Sequence, residues 1–295
     1  MKIGSTRSKI YKVVCLILLV IIALLFLFPL YWIVTGAFKT GADINNATEP
    51  VWFPTEWTAD NFARLFSRRS APLFEIGSLV GPKVPGAIRW LVNTVFMSVA
   101  AMILTCITAA MAGYALAKKR FVGRTLLFSL IVCAMALPKQ VILIPLLKEM
   151  SALNLYNTLW AVIFPTVGWP FGVFLMKQFS ESIPGEILEA ARIDGASELK
   201  TFVTIVVPMV KPGIGALAIF TFINSWNDYF MQLIMLAKSN VYTLPLGIAT
   251  MQAETSIDMG MLMAGAALAS VPIIIVFLIF QKYFTQGITM GAVKG

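Results

Sequence analysis

The sequence predicts an all-α, polytopic membrane protein with six transmembrane helices and one large cytoplasmic loop folded as a helix-turn-helix. Three observations carry this. Of 295 residues, 59% are hydrophobic and 13% are charged, and mean hydropathy is +0.84. Soluble domains carry roughly 25% charged residues, and half that cannot cover a surface facing water. The apolar residues also fall in long uncharged runs separated by short charged segments, the pattern of a chain whose solvent is lipid. Finally, Lys and Arg collect in alternate loops.

The first span covers about 13–37 without a charge. It is too long for a signal-peptide core and no small-residue cleavage site follows, so it reads as an uncleaved anchor. The second span covers about 90–117, and the third about 125–147, interrupted by Pro138 and Lys139. The fourth covers about 158–176 with Pro165 and Pro170 inside, the fifth about 213–236, and the sixth about 261–284. Each suits a hydrocarbon core that takes about 20 residues. With the N-terminus in the cytoplasm, Lys2, Arg7, Lys9 and Lys12 lie inside, joined by Lys118, Lys119, Arg120 and Arg124. Lys177, Arg192, Lys200 and Lys211 follow from the next internal loop, then Lys282 and Lys294. Both termini are therefore expected in the cytoplasm. The expected organisation is a cytoplasmic N-terminus with the first span (1–37), an extracytoplasmic loop (38–89) and a core transmembrane region (90–295).

Several function classes fall away. The formal charge of +9 could mark a polyanion binder, but the basic residues are scattered through short loops with no aromatic-basic patch, so no nucleic acid is expected. Cys15, Cys106 and Cys133 lie inside expected spans and read as packing residues. There is no histidine, and no acidic cluster has metal-ligand spacing, so neither a catalytic nor a metal site is expected.

The internal loop, 180–212, is where the sequence becomes specific. In Ser182-Ile-Pro-Gly-Glu-Ile-Leu-Glu-Ala-Ala-Arg-Ile-Asp-Gly195, Pro184 suits a first helical turn and Gly195 the left-handed residue past a helix end. At 100° per residue, Ile187, Leu188 and Ala191 share one face while Glu186, Glu189 and Arg192 share the other. Ser197 can cap a second helix through Glu198, Lys200 and Phe202, ending near Pro208 or Pro212. Such an element could rest on lipid headgroups or dock to a protein. Headgroup-binding helices favour basic polar faces, and this one is mostly acidic.

Glu189-Ala190-Ala191, then Gly195, Ile205 and Pro208 resemble the EAA loop of ABC importer permeases, and Glu189-Ala-Ala-Arg-Ile-Asp-Gly-Ala-Ser197 resembles its maltose-type carbohydrate-uptake version. Pro145-Leu146, Leu153-Asn154-Leu155 to Trp160, Asn224-Ser225-Trp226-Asn227-Asp228, Tyr242-Thr243-Leu244-Pro245 and the closing 291–295 are similar to that branch too. The likeness covers most of 90–295, while 66–88 matches nothing recognised. It implies the type I importer permease fold in a prokaryotic plasma membrane, with Glu189, Ala190, Ala191, Asp194, Gly195, Ile205 and Pro208 in a loop that couples to an ATPase. It also implies a second permease subunit as heterodimer partner, two cytoplasmic ATPase subunits and an extracellular solute-binding protein, with ATP and Mg on the ATPases and no cofactor on this chain. A phosphate-binding loop needs Gly-x4-Gly-Lys-Ser/Thr; the nearest approach, Gly36 to Gly41, continues Ala42-Asp43 and fails.

Polar groups inside spans are costly and face a pore or a partner helix. Asn224, Trp226, Asn227, Asp228 and Tyr229 crowd the outer end of the fifth span. They suit a substrate path or gate for sugar, and equally an interfacial aromatic belt with helix-capping polar residues. Asn93, Thr94 and Ser98 gather in the second span, and Lys139 breaks the third. Pro138, Pro145, Pro165, Pro170 and Pro272 interrupt helices in a way that fits a rocking bundle. An ion-coupled secondary transporter is the alternative, and Lys139 with Asp228 are the ionisable groups it would use.

Overall fold

A computed structural model describes residues 6–46, 49–76, 78–253 and 258–292. Lys2, Lys294 and the last part of the 291–295 match lie outside the described residues. Helix α1 (Thr6–Ala37) runs unbroken through Pro29. Two short helices, α2 (Gly41–Ile44) and α3 (Asp60–Ser67), follow. The stretch unmatched in sequence then forms a nested hairpin from β1 (Ser70–Pro72), β2 (Glu75–Ile76), β3 (Leu79–Val80) and β4 (Lys83–Pro85). Strand β1 pairs with β4, and β2 lies antiparallel to β3 with Glu75 opposite Val80 and Ile76 opposite Leu79. Leu73 N–H donates to Pro82 O and Gly81 N–H to Phe74 O, which carries pairing across the gap between the strand pairs.

Helix α4 (Gly86–Lys118) is continuous. The third span is interrupted at Pro138 and Lys139 as expected, where two helices, α5 (Arg124–Ala134) and α6 (Lys139–Ala152), meet at 107°. Pro138 explains the bend: it cannot donate a backbone hydrogen bond, it disfavours helix in the residue before it, and it sits extended at φ −62°, ψ 129°. Helices α7 (Trp160–Val167) and α8 (Pro170–Glu181) make up the fourth span, with Pro170 opening α8 where a missing N–H costs nothing. Then come α9 (Gly185–Ile193), α10 (Glu198–Thr201), a π-helical turn (Phe202–Val206), α11 (Val207–Met209) and α12 (Lys211–Asn227). The expected fifth span stops early, at Asn227, because Asp228 leaves the helical region (φ −77°, ψ 64°) before α13 (Tyr229–Met235) begins. Helix α14 (Leu244–Ala253) precedes α15 (Met259–Ala292), which passes through Pro272. Among the described residues, four helices are long and apolar enough to cross a membrane. The number rises to six if α5–α6 and the 78° bend between Glu198–Met209 and α12 each count as one span.

The chain forms two compact units. One comprises the N-terminal part through Ser70 with Pro85–Ala87 and Ile248–Ser270. It is held by Asn61, buried, whose Nδ2 donates to Ala37 O (3.0 Å) and Lys39 O (2.8 Å), and by Arg64, which reaches Asp258 at 2.6 Å. The other comprises Ala71–Val84, Ile88–Gly247 and the chain from Val271. It has one apolar cluster around Met97, Ala161–Ile163, Met235 and Leu246, and a second around Tyr114, Met176, Ile183, Val206 and Leu217. The outward faces of α1, α5 and α15 are apolar and exposed, as lipid or a partner chain in lipid requires.

In the second cluster, α4 meets α8 at Gly113, where a Cβ would lie 2.6 Å from Lys177 N and Met176 C. Backbone cannot retreat as a side-chain tip can. Gly113→Val is expected to cost about 1–3 kcal/mol, read as a lowered melting temperature of the detergent-purified protein, while Met111→Val on the exposed face of α4 leaves it unchanged.

Candidate functional site

The loop between α8 and α12 folds as the sequence predicts, by local rules. Pro184 takes the N-cap position of α9 (φ −60°, ψ 136°), one residue earlier than the first-turn place expected of it. At the other end Gly195 is left-handed, at φ +73°. Ala196 N–H returns to Ala191 O (3.0 Å) and Gly195 N–H to Arg192 O (3.1 Å), the paired bonds that close a helix on a glycine. Two residues later Ser197 Oγ accepts from Lys200 N–H and starts α10. The π-helical turn has an identifiable cause in Pro208. A proline cannot donate to the carbonyl four residues back and its ring crowds it, so the helix widens by one residue ahead of α11.

Packing decides which residues face out. Ala191 is buried, and Leu188 is half-buried against the second apolar cluster, which also takes Ile183, Phe202 and Val206. Ile187, expected on the same face, is exposed. Glu189, Ala190, Asp194, Gly195 and Pro208 are exposed and Ile205 is half-buried. With Ile193 (86% exposed) and Leu199 (68%) they form a surface of apolar and acidic groups. Lys118 Nζ donates to Glu181 O (3.1 Å) and Ile183 O (2.6 Å), fastening the end of α4 to the entry of the loop. Lys119 pairs with Glu198, and Arg192 lies 3.7 Å from the same carboxylate. Burial works against the Lys119 charge, yet its hydrogen bonds to Glu198 and Tyr114 together raise its pKa, so this tie holds at neutral pH.

At the far end of α12 the polar group expected as a path or gate separates into different environments. Asn224 Nδ2 donates to Phe220 O (2.9 Å) and Asn227 Nδ2 to Ile223 O (3.0 Å), each one turn back on its own helix. Asn227 is exposed, and Asn224 and Tyr229 are half-buried. Trp226 is buried against Phe222, with ring centroids 5.4 Å apart, and presents no face to a path. Asp228 caps α13, accepting from Met231 N–H, and its Oδ2 lies 3.3 Å from Lys139 Nζ. Lys139 also sits over the Trp169 ring at 5.9 Å. The two ionisable groups that the ion-coupled alternative would use are thus partners.

Of the residues that hold this end, the sequence singled out Asn93 and Thr94 but not Gln232, Asn157 or Arg89. Buried Gln232 donates to Ser225 O (3.0 Å) and accepts from Thr243. Asn157, left-handed at φ 60°, accepts from Ala237 and Lys238 N–H. Arg89 and Asn93 both donate to Asn240 O, Asn93 also to Tyr242 O, and Trp90 Nε1 to Ser239 O. Thr94 accepts from Leu244 N–H at 2.7 Å. Asn93 and Thr94 therefore anchor a loop rather than line a path, while Ser98 is buried with no hydrogen-bond partner among the described residues. An Asn or Gln within an apolar run was the available signal, but its partner's position was not.

A family profile described as "Binding-protein-dependent transport system inner membrane component" matches residues 107–290. The chain is 34% identical to an arabinooligosaccharides transport system permease protein of Halalkalibacterium halodurans, over 93% of this chain and 93% of the relative. It is 31% identical to a maltodextrin transport system permease protein of Bacillus subtilis, over 99% of each. Its fold resembles a chain in the crystal structure of a bacterial ABC transporter that imports alginate, with a TM-score of 0.74 at 24% identity, covering 96% of this chain and 100% of that one.

The Lys139–Asp228 pair is part-exposed on the Lys side (48%) and largely buried on the Asp side (17%). A double-mutant cycle of Lys139→Ala and Asp228→Asn is expected to give a coupling of about 0.5–1.5 kcal/mol, measured by thermal unfolding in detergent. Additive effects would show that the pair contributes nothing.

Proposed function

Since this chain belongs to the binding-protein-dependent transport system inner membrane components, we propose that it is one permease subunit of an ATP-binding-cassette importer for a sugar or oligosaccharide. The loop from Ser182 to Pro212 would seat in a groove of a separate cytoplasmic ATPase, with Glu189, Ala190, Asp194 and Gly195 on the contact face. In this reading ATP and Mg belong to two such ATPase subunits. A second permease completes the pore and an extracellular solute-binding protein delivers the cargo. Both termini and the Ser182–Pro212 loop lie in the cytoplasm, and 38–89 lies outside.

One observation carries the coupling role. The loop is a short helix, a glycine-closed turn and a second helix, packed on one side against the ends of α4 and α8 and leaving acidic and apolar groups exposed on the other. Small Ala190 permits close approach by another backbone, and the exposed carboxylates suit a basic rim. Four exposed acidic residues (Glu186, Glu189, Asp194, Glu198) make the loop a poor match for anionic headgroups. Helix α12 starts two residues beyond Met209 and ends at the Lys139–Asp228 pair. Its 17 residues, about 25 Å at 1.5 Å each, form a stiff link between the two places. The ion-coupled alternative draws on Lys139 and Asp228, and their charges answer each other here.

Gly195→Pro cannot hold the left-handed turn, and Glu189→Lys reverses charge on the contact face. Both are expected to leave membrane insertion intact and to reduce ATPase stimulation by loaded binding protein to the basal rate, measured in nanodiscs on the co-purified complex. Normal stimulation in both variants would remove the coupling role. Purification of the chain alone, with uptake driven by an ion gradient and no ATP, would replace the importer reading altogether.

A further inference from the structure

Just past the end of α1, a cavity of about 270 Å³ is lined by Trp32, Lys39, Asp43, Glu49, Val51 and Met263, among others. Lys39 is 3% exposed. Its ammonium stands 3.9 Å from the centroid of the Trp32 ring, and among the described residues it makes no hydrogen bond and no ion pair. Burial lowers its pKa, and the field of Asp43 only partly opposes this. Asp43 accepts the hydroxyl (2.7 Å) and N–H (3.0 Å) of Thr55 and stays charged, but it forms no ion pair with Lys39. Lys39 lines the cavity and its ammonium has no protein acceptor among the described residues, so an incoming anionic oxygen would find its donors free. Glu49, on the exposed side of the same cavity, offers the opposite charge.

The surroundings identify what could bring both charges. Tyr31, Trp32, Trp52 and Phe53 cluster at this end of α1, with Tyr31 Oη donating to Trp52 O at 2.6 Å. Trp52 and Phe53 are exposed, and the α1 surface leading to them is exposed and apolar at Leu24, Leu25 and Phe28. Aromatic groups of this kind sit at headgroup level, with the apolar helix below them in the acyl region. We propose that this cavity binds the headgroup of a zwitterionic phospholipid of the ethanolamine type. Its phosphate takes the Lys39 ammonium, its own ammonium lies toward Glu49, and its acyl chains run down α1. The site shares no residue with the coupling loop or the α12–α13 break, and it does not depend on what cargo is carried.

The test uses the full chain with whatever subunits accompany it, incubated in detergent with equal amounts of phosphatidylethanolamine and phosphatidylglycerol, and counts retained lipid by native mass spectrometry. The wild type is expected to retain the ethanolamine lipid preferentially. Lys39→Met should lower that retention about tenfold, the loss expected for a charged hydrogen-bonded contact. Glu49→Gln, at an exposed position that does not endanger folding, should erase the preference between the two lipids. Equal retention of both lipids by the wild type, or wild-type behaviour of both variants, overturns the proposal. So does displacement by soluble phosphoethanolamine, which would make the occupant a free zwitterion. Unchanged lipid binding with lost stimulation by a binding protein would assign the cavity to a protein contact instead.

Discussion

A backbone group that leaves helix within a packed bundle has to find another partner, and here side chains supply many of them. This constraint organises the larger unit. Where the chain leaves helix between α13 and α14, Asn157 from one side and Arg89, Trp90, Asn93 and Thr94 of α4 from another supply backbone partners, while Gln232 ties the Thr243 hydroxyl to Ser225 O. The gap between α12 and α13 is held by Asp228, which caps the second helix while its charge is met by Lys139. The polar residues that look out of place in an apolar sequence are the ones that allow the chain to turn.

The same unit places its two irregular ends on one element. Helix α12 takes its start from the widened turn and α11, and finishes at the Lys139–Asp228 pair. On the way it is pressed against its neighbours without slack. A Cβ at Gly213 would meet the Phe179 ring at 2.5 Å, and Phe222 and Trp226 are stacked and buried. A helix so held transmits displacement as a body more readily than it bends, since packed interiors deform little. At the loop end, Lys118 and Lys119 bind the same assembly to α4.

Much of this was legible in the sequence. Uncharged runs located the membrane helices, and the loop from Ser182 onward declared its caps and its glycine turn because those rules are local. The sequence placed an interruption at Pro138 and Lys139, and it left open how large such a break would be. Pro138 could have kinked a single span but turned the chain through 107°, and Asp228 ended α12 instead of lying within it. The partnership of Lys139 with Asp228 was out of reach, being set by how α6 and α13 pack. So was the hairpin from Ser70 to Pro85, whose strands are two or three residues long and too short to show an alternation. Trp226 shows the limit of reading chemistry from residue type: an aromatic suited to stacking on a sugar is used to fill the core.

The widened turn at Phe202–Val206 also sets a screw phase. One extra residue in a turn rotates everything on one side of it by about 100° relative to an unbroken helix. The direction in which Glu198 and Leu199 point is therefore fixed by the count of residues between them and Pro208 as much as by their identity. Shortening that stretch by one residue would keep its composition and helicity and still swing the exposed groups a quarter turn around the axis. Within this loop, the number of residues sets direction as firmly as their identity does.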